Sequence, residues 1–286
     1  MSLNRATVGK RYEGSARYEV TAQAMRLYAE ATGALTQWEQ SWSDGEEVAP
    51  PLFAVRPLVD VLFGAIEDEE VGIELRRLVH GEQEMWFHEP LRRGDRVLAL
   101  GEIESIEERS TGEVVVLRQW LEREDGEPVV TARSVLFVRG DVKPAEGKAA
   151  RGKSEQGSPD VAWMVEQTQV VDEDQSVRYA RASGDLNPLH TDDAFAQAAG
   201  LDARILHGLC TMAMSSNVVL EQLCEGDIER LEGLKVRFAR PVYMGDALTA
   251  RIAATQREGG MYALEVRNQK GEAVLTRGEV RLREKK

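Results

Sequence analysis

Apolar and polar positions along this chain fall into two successive stretches that show the same order of patterns. Each stretch opens on a short strand-like segment and then a helix-like one. A candidate capping residue leads that helix, Thr21 in the first stretch and Asp172 in the second. Next comes a run that is apolar nearly all round, residues 52–66 and 205–223, which predicts a buried helix rather than an amphipathic one. Three or four strand-like segments close each stretch, with hairpin turns predicted at Asp125-Gly126 and Lys270-Gly271. Residues 114–121 and 263–267 alternate as antiparallel strands with one covered face do. The pattern therefore predicts an α+β fold in two copies, each a buried helix wrapped by an antiparallel sheet.

The residues repeat as well as the pattern. YAEATGAL (28–35) matches YARASGDL (179–186), and FHEPLRRGD (87–95) matches FARPVYMGD (238–246), both 151 positions apart. DGEPVVT (125–131) matches KGEAVLT (270–276) at 145. Spacing held over that span marks a duplicated domain. Between the copies, GDVKPAEGKAARGKSEQGSP offers almost nothing to bury and reads as a linker. The expected division is a first domain over 1–140, a linker over 141–160 and a second domain over 161–286.

Composition narrows the function classes. With 42% hydrophobic and 30% charged residues, the 286-residue chain has the balance of a folded protein. A net charge of −13 argues against nucleic-acid or anionic-membrane surfaces, which need clustered Lys and Arg. A local basic patch for a phosphorylated small molecule stays open. No apolar run reaches membrane-span length and the first residues lack a signal-peptide core, so a cytoplasmic location is expected. Cys210 and Cys224 fall on one predicted helix, roughly 20 Å apart at 1.5 Å per residue, too far for a disulfide.

Candidate chemistry concentrates in the second copy, in Ser183-Gly184-Asp185-Leu186-Asn187-Pro188-Leu189-His190-Thr191-Asp192 and then Ile205-Leu206-His207-Gly208-Leu209. This pair of segments resembles the motif of MaoC-like (R)-specific enoyl-CoA hydratases, also called hydratase 2. FARPVYMGDALTARI, ending at Ile252, is similar to that family's strand after the central helix. The resemblance covers residues 161–283, and the first half is more weakly similar to the degenerate N-terminal domain of two-domain members. It implies a double hot-dog fold and interconversion of a trans-2-enoyl thioester with an (R)-3-hydroxyacyl thioester. The carrier is coenzyme A or acyl carrier protein, and no metal or other cofactor is expected. An acyl-carrier-protein or branched dicarboxylic acyl-CoA dehydratase is the nearest alternative. A non-catalytic acyl-CoA-binding subunit is the alternative of another class.

Adding water across an enoyl thioester needs a base for the water, an acid for the α-carbon and a stabiliser for the enolate-like oxygen. Asp185 and His190, five residues apart in a loop with Gly184 and Pro188, can face one water, with Asp185 as base and His190 supplying or sharing the second proton. Asn187 would brace that loop. Gly208, at a helix start, offers a backbone N–H and the positive helix end to the thioester oxygen. Ser216 matches a family position near the loop, and His207 reads as a helix-start residue. Alone, Asp-Leu-Asn-Pro is a turn and His190 a surface residue. Asp185, His190, His207 and Asp192 are also of metal-ligating types. The catalytic reading accounts for the whole set.

At the same spacing the first copy has Ala34 for Asp185, Glu39 for His190 and, without gaps, Arg56-Pro57 for His207-Gly208. It reads as catalytically dead, paired with the live half to complete the sheet. His80 and His88 lie outside the pattern, His88 at a strand end. Trp38, Trp42, Phe53, Phe63 and Trp86 suit either an acyl tunnel or the core. Lys235, Arg237, Arg240 and Arg251 suit either coenzyme A phosphates or a solvated strand face. Dimerisation of the two-domain unit stays open.

Overall fold

The computed structural model describes residues 2–40, 47–140, 162–256 and 260–285. The proposed linker 141–160 and Trp42 lie outside them. The first half contains β1 (Arg11–Glu13), β2 (Tyr18–Glu19), α1 (Ala22–Ala31), α2 (Leu35–Gln40), α3 (Val55–Ile66), β3 (Leu78–Phe87), β4 (Arg96–Arg109), β5 (Gly112–Glu122) and β6 (Pro128–Arg139). The second contains β7 (Val165–Val170), α4 (Gln175–Ser183), α5 (Asp193–Ala198), α6 (Gly208–Cys224), β8 (Leu231–Phe238), β9 (Ala247–Ala254), β10 (Met261–Arg267) and β11 (Ala273–Leu282).

The strands form one antiparallel sheet in the order β1-β4-β5-β6-β3-β8-β11-β10-β9-β7, with β2 also on β4. Read outward from its middle, the order repeats: β3, β6, β5, β4 on one side and β8, β11, β10, β9 on the other. At the β3–β8 seam Glu84 lies opposite Lys235, residues 151 positions apart, and their side chains pair at 3.6 Å. The seam thus crosses equivalent positions of the repeat, as a local two-fold axis requires. This is the double hot-dog expected of the sequence. Both hairpin turns form where Gly126 and Gly271 take positive φ, 84° and 73°.

The central helix α6 is buried along most of its length and on most faces, in keeping with its apolar run. Its core is shared, since Tyr28, Phe53, Tyr179 and Met212 belong to one buried cluster spanning the two halves. Burying each such side chain contributes about 1.5–3 kcal/mol. Polar contacts also join the halves. The last turn of α1 leaves carbonyls without intrahelical partners, and the second half supplies the donors. Arg178 Nη1 reaches Glu30 O at 3.3 Å, Gln175 Nε2 reaches Ala31 O at 3.1 Å and Asn217 Nδ2 reaches Thr32 O at 3.0 Å.

Three expectations are corrected. Thr21 does cap α1 by accepting from Ala24 N–H, but α4 is preceded by Asp174, not Asp172. The Asp172 N–H donates to Gln175 Oε1 and its carboxylate pairs with Arg178. The apolar runs also overstate their helices at the start: α3 begins at Val55 after a 3-10 turn over Pro51–Ala54, and α6 begins at Gly208. Apolarity reports burial, and Leu52 and Leu206 are buried without being α-helical. Finally, gap-free alignment sets Pro57 against Gly208, whereas the helix starts match at Val55. Cys210 and Cys224 are buried thiols, and burial raises both, Cys224 to about 11. Among the described residues no helix is long and apolar enough to cross a membrane.

Candidate active site

Helix α4 ends at Gly184, whose φ of 83° turns the chain sharply out of the helix. A Cβ there would also come within 2.9 Å of Arg56 Nη1 of the first half, whose side chain would have to move. The turn delivers Asp185. Its Oδ1 accepts from Asn187 N–H at 3.1 Å, and Asn187 Oδ1 accepts in turn from Leu189 N–H at 3.1 Å, capping the 3-10 turn Pro188–His190. Two successive Asx contacts thus fix the loop that carries both Asp185 and His190. Asn187 thus bonds to this loop through both its backbone N–H and its side chain.

His190 Nδ1 lies 2.9 Å from the Ile205 carbonyl oxygen. A carbonyl can only accept, so Nδ1 carries the proton and the neutral ring keeps its lone pair on Nε2. Burial lowers the His190 pKa, against the opposing pull of the Asp185 charge, and favours that neutral form. The ring is therefore set up to accept a proton first.

His207 does more than precede a helix. It is almost fully buried, stacks on His190 with centroids 3.7 Å apart and 25° between planes, and packs against Tyr179 at 4.9 Å. Its Nε2 donates to the Asp185 carbonyl at 3.1 Å and lies 4.0 Å from Asp185 Oδ2. Burial, and then repulsion from His190, hold its pKa well below the ordinary imidazole value. Nδ1 of the same ring is buried without a hydrogen-bond partner. One ligating atom from each of Asp185, His190 and His207 falls within 4.8 Å of the others. That arrangement suits a metal by residue type, and the nitrogens left for it are His190 Nε2 and His207 Nδ1, since His190 Nδ1 and His207 Nε2 bond to carbonyl oxygens. Asp192 caps α5 instead, accepting from Phe195 N–H at 2.9 Å.

Gly208 opens α6 directly after His207, so its N–H has no acceptor within the helix. A built Cβ would meet the Phe238 ring at 2.8 Å, which is why the position takes glycine. Ser216 lies two turns further along α6, buried, with Oγ donating to Ala213 O at 2.8 Å.

A pocket bordered by Asp185, Tyr179 and Ser183 runs beneath α3 of the first half, past Leu58, to Gln83, Gln119 and Ser134. These three polar residues escaped the sequence reading. The signal was present at Gln119, which shares the buried face of Leu117 and Leu121. Trp38, Phe53 and Trp86 do not border this pocket. Trp38 and Phe53 sit in the core, and Trp86 packs over Gly233 at the seam. Among the basic candidates, Lys235, Arg240 and Arg251 pair with Glu84, Glu272 and Glu166. His88 follows β3 and contacts Thr131 Oγ1 at 3.1 Å.

In the first half, Ala34 is buried and Glu39 is half exposed in an ion pair with Arg26. The Val55 N–H at the α3 start is already taken by the carbonyls of Leu52 and Phe53. The N–H of the residue that starts this helix is therefore not free, for a different reason from the proline read in the sequence.

Comparison with known proteins places the chain in a family. Residues 155–274 match the MaoC like domain, and residues 6–132 match the FAS1-like dehydratase domain region. A probable enoyl-CoA hydratase 2 of Dictyostelium discoideum is 30% identical over 244 residues, covering 82% of each chain. A 3-hydroxyacyl-thioester dehydratase Y of Mycobacterium tuberculosis is 31% identical over 198 residues, 68% of each chain. The crystal structure of a MaoC-like dehydratase from Phytophthora capsici superposes with a TM-score of 0.79 at 23% identity, over 99% of this chain and 98% of that one. Of the longer peroxisomal multifunctional enzyme type 2 of Mus musculus, the chain spans 26%.

Proposed function

The chain belongs to the MaoC-like dehydratase family, and from that premise we propose that Asp185 and His190 catalyse the reversible addition of water to a trans-2-enoyl thioester. The enzyme is a hydro-lyase of acyl thioesters, and its product is the (R)-3-hydroxyacyl thioester. The observation that carries the assignment is the meeting of two acceptors, Asp185 and His190, beside the open N-terminus of α6.

Asp185 Oδ1 is occupied by Asn187, which leaves Oδ2 for a water proton. His190 Nε2 accepts a hydrogen bond from the other. As the water oxygen adds to Cβ, the pair removes one proton, and negative charge grows on the thioester oxygen. The Gly208 N–H and the helix end stabilise that charge. The proton then passes from the pair to Cα, so one water supplies both the hydroxyl and the new hydrogen. His190 enters as an acceptor and becomes a donor only after receiving the proton. This refines the role expected from the sequence. His207 holds the Asp185 backbone and the His190 ring in place.

The chemistry requires no metal or cofactor beyond the thioester carrier. The dead half supplies the pocket wall and completes the sheet. Purified protein with trans-2-enoyl-CoAs from butenoyl to dodecenoyl tests this. Loss of the conjugated double bond with an (R)-alcohol product is expected, and an (S)-alcohol or no hydration at any length would reject it.

A further inference from the structure

We propose that Gln83, Gln119 and Ser134 bind an uncharged hydrogen-bonding group, a hydroxyl above all, on the acyl chain of the substrate; this rests on the hydratase reading above. The three residues come from β3, β5 and β6 of the catalytically dead half, and each is at most 3% exposed. They border the same pocket as Asp185, a narrow one that an acyl chain entering at Asp185 would have to widen to reach them.

Their hydrogen bonding defines what fits. Ser134 Oγ lies 2.8 Å from Gln83 Oε1 and 2.9 Å from Gln119 Oε1. One hydroxyl hydrogen serves these contacts, so the Ser134 oxygen keeps its lone pairs unused. One Gln119 amide hydrogen is directed to the Leu58 carbonyl at 3.2 Å and one of Gln83 to the Glu84 carbonyl at 3.4 Å, which leaves a second N–H on each amide. The cluster therefore offers both acceptors and donors. A hydroxyl, which donates and accepts, fits such a site. A carboxylate would bring a charge into it, and among the described residues no lysine or arginine borders the pocket to meet one.

The duplicated half shows that the fold does not need this polarity. At the repeat spacing Gln83 corresponds to Leu234 and Gln119 to Leu264. Ser134 lies opposite Gln83 in the sheet as Val280 lies opposite Leu234. His80, in contact with Gln83 at 3.0 Å, corresponds to Leu231. All four equivalents are buried apolar core. Burying amides and a hydroxyl where leucine and valine serve equally well costs desolvation, and the polarity is confined to the half whose pocket opens at the catalytic pair.

The test compares enoyl-CoAs of matched length ending in a methyl, a hydroxyl or a carboxylate. At the length that reaches the cluster, the wild-type enzyme is expected to favour the hydroxyl over the methyl chain by about tenfold or more in kcat/KM, with the carboxylate poorest. The combined variant Gln83→Leu, Gln119→Leu and Ser134→Val, which installs the residues of the other half, should reverse the preference. Ser134→Ala, the smallest change, should reduce it even if the combined variant does not fold. Equal use of methyl and hydroxyl chains at every length, or an unchanged ratio in Ser134→Ala, would overturn the proposal while leaving the hydratase reading intact. Failure to hydrate any of the chains would instead reject the hydratase reading itself.

Discussion

Tyr28 and Tyr179 meet hydroxyl to hydroxyl at 3.3 Å, and they occupy the same position of the repeat, 151 residues apart. Both are fully buried, with ring centroids 5.6 Å apart. One residue of the ancestral unit thus touches its own duplicate, and each phenol finds its partner in the other half. Tyr28→Phe should leave the Tyr179 hydroxyl without that partner and cost about 1–3 kcal/mol. Adding Tyr179→Phe removes the orphan, so the double variant should lose less than the sum of the single losses. Chemical denaturation of the four proteins measures the coupling. Strict additivity would show that the contact contributes nothing.

His80 ties stability to pH. Burial lowers its pKa to about 4, below the ordinary 6.5. The unfolded chain therefore binds the proton first as pH falls, and native stability drops between pH 6.5 and about 4 by up to about 3 kcal/mol. His190 and His207 are lowered too and act in the same direction. Urea denaturation across that window should show a shallower fall for His80→Leu than for wild type. Equal slopes would contradict the assignment.

How much of this was legible in the sequence differs by level. The duplication, the buried helices and the hairpins followed from periodicity and glycine placement, because burial leaves an apolar trace and turns need particular residues. Asp185, His190 and Asn187 were singled out because one short loop carries them in a pattern that resembles a family motif. The structure brings them together with His207, whose stacking on His190 depends on how α6 meets the loop and has no local sequence signal. Ser216 entered by motif position, and its hydroxyl bonds to the Ala213 carbonyl of its own helix. Gln83 and Ser134 were hidden because strands far apart in sequence bring them together, and only Gln119 broke an apolar face visibly. The helix starts slipped because a 3-10 turn continues the same apolar run.

Gly208 offers a test of the oxyanion contact. Gly208→Pro removes the N–H at a helix start, where proline's φ is tolerated. Because any Cβ there crowds Phe238, Gly208→Ala is the matched control for crowding rather than an innocent change. Turnover of Gly208→Pro should fall about 10²–10³-fold below that of Gly208→Ala, with circular dichroism confirming the fold of both. Equal turnover in the two variants would mean that another group stabilises the oxygen.

The β3–β8 seam predicts the fate of an isolated second half. A fragment of residues 162–286 exposes β8 and the donors that cap α1, and it should precipitate or self-associate through that edge. Size-exclusion chromatography measures this. A monomeric, fully active fragment would contradict the pairing of the halves.

The central claim is that Asp185 and His190 carry the hydration. The measurement is steady-state turnover of a trans-2-enoyl-CoA, read from loss of its conjugated double bond, for wild type, Asp185→Asn and His190→Ala. Each variant should keep its fold and lose about 10²–10⁴-fold in kcat. A folded Asp185→Asn or His190→Ala that hydrates the substrate at the wild-type rate would contradict the account.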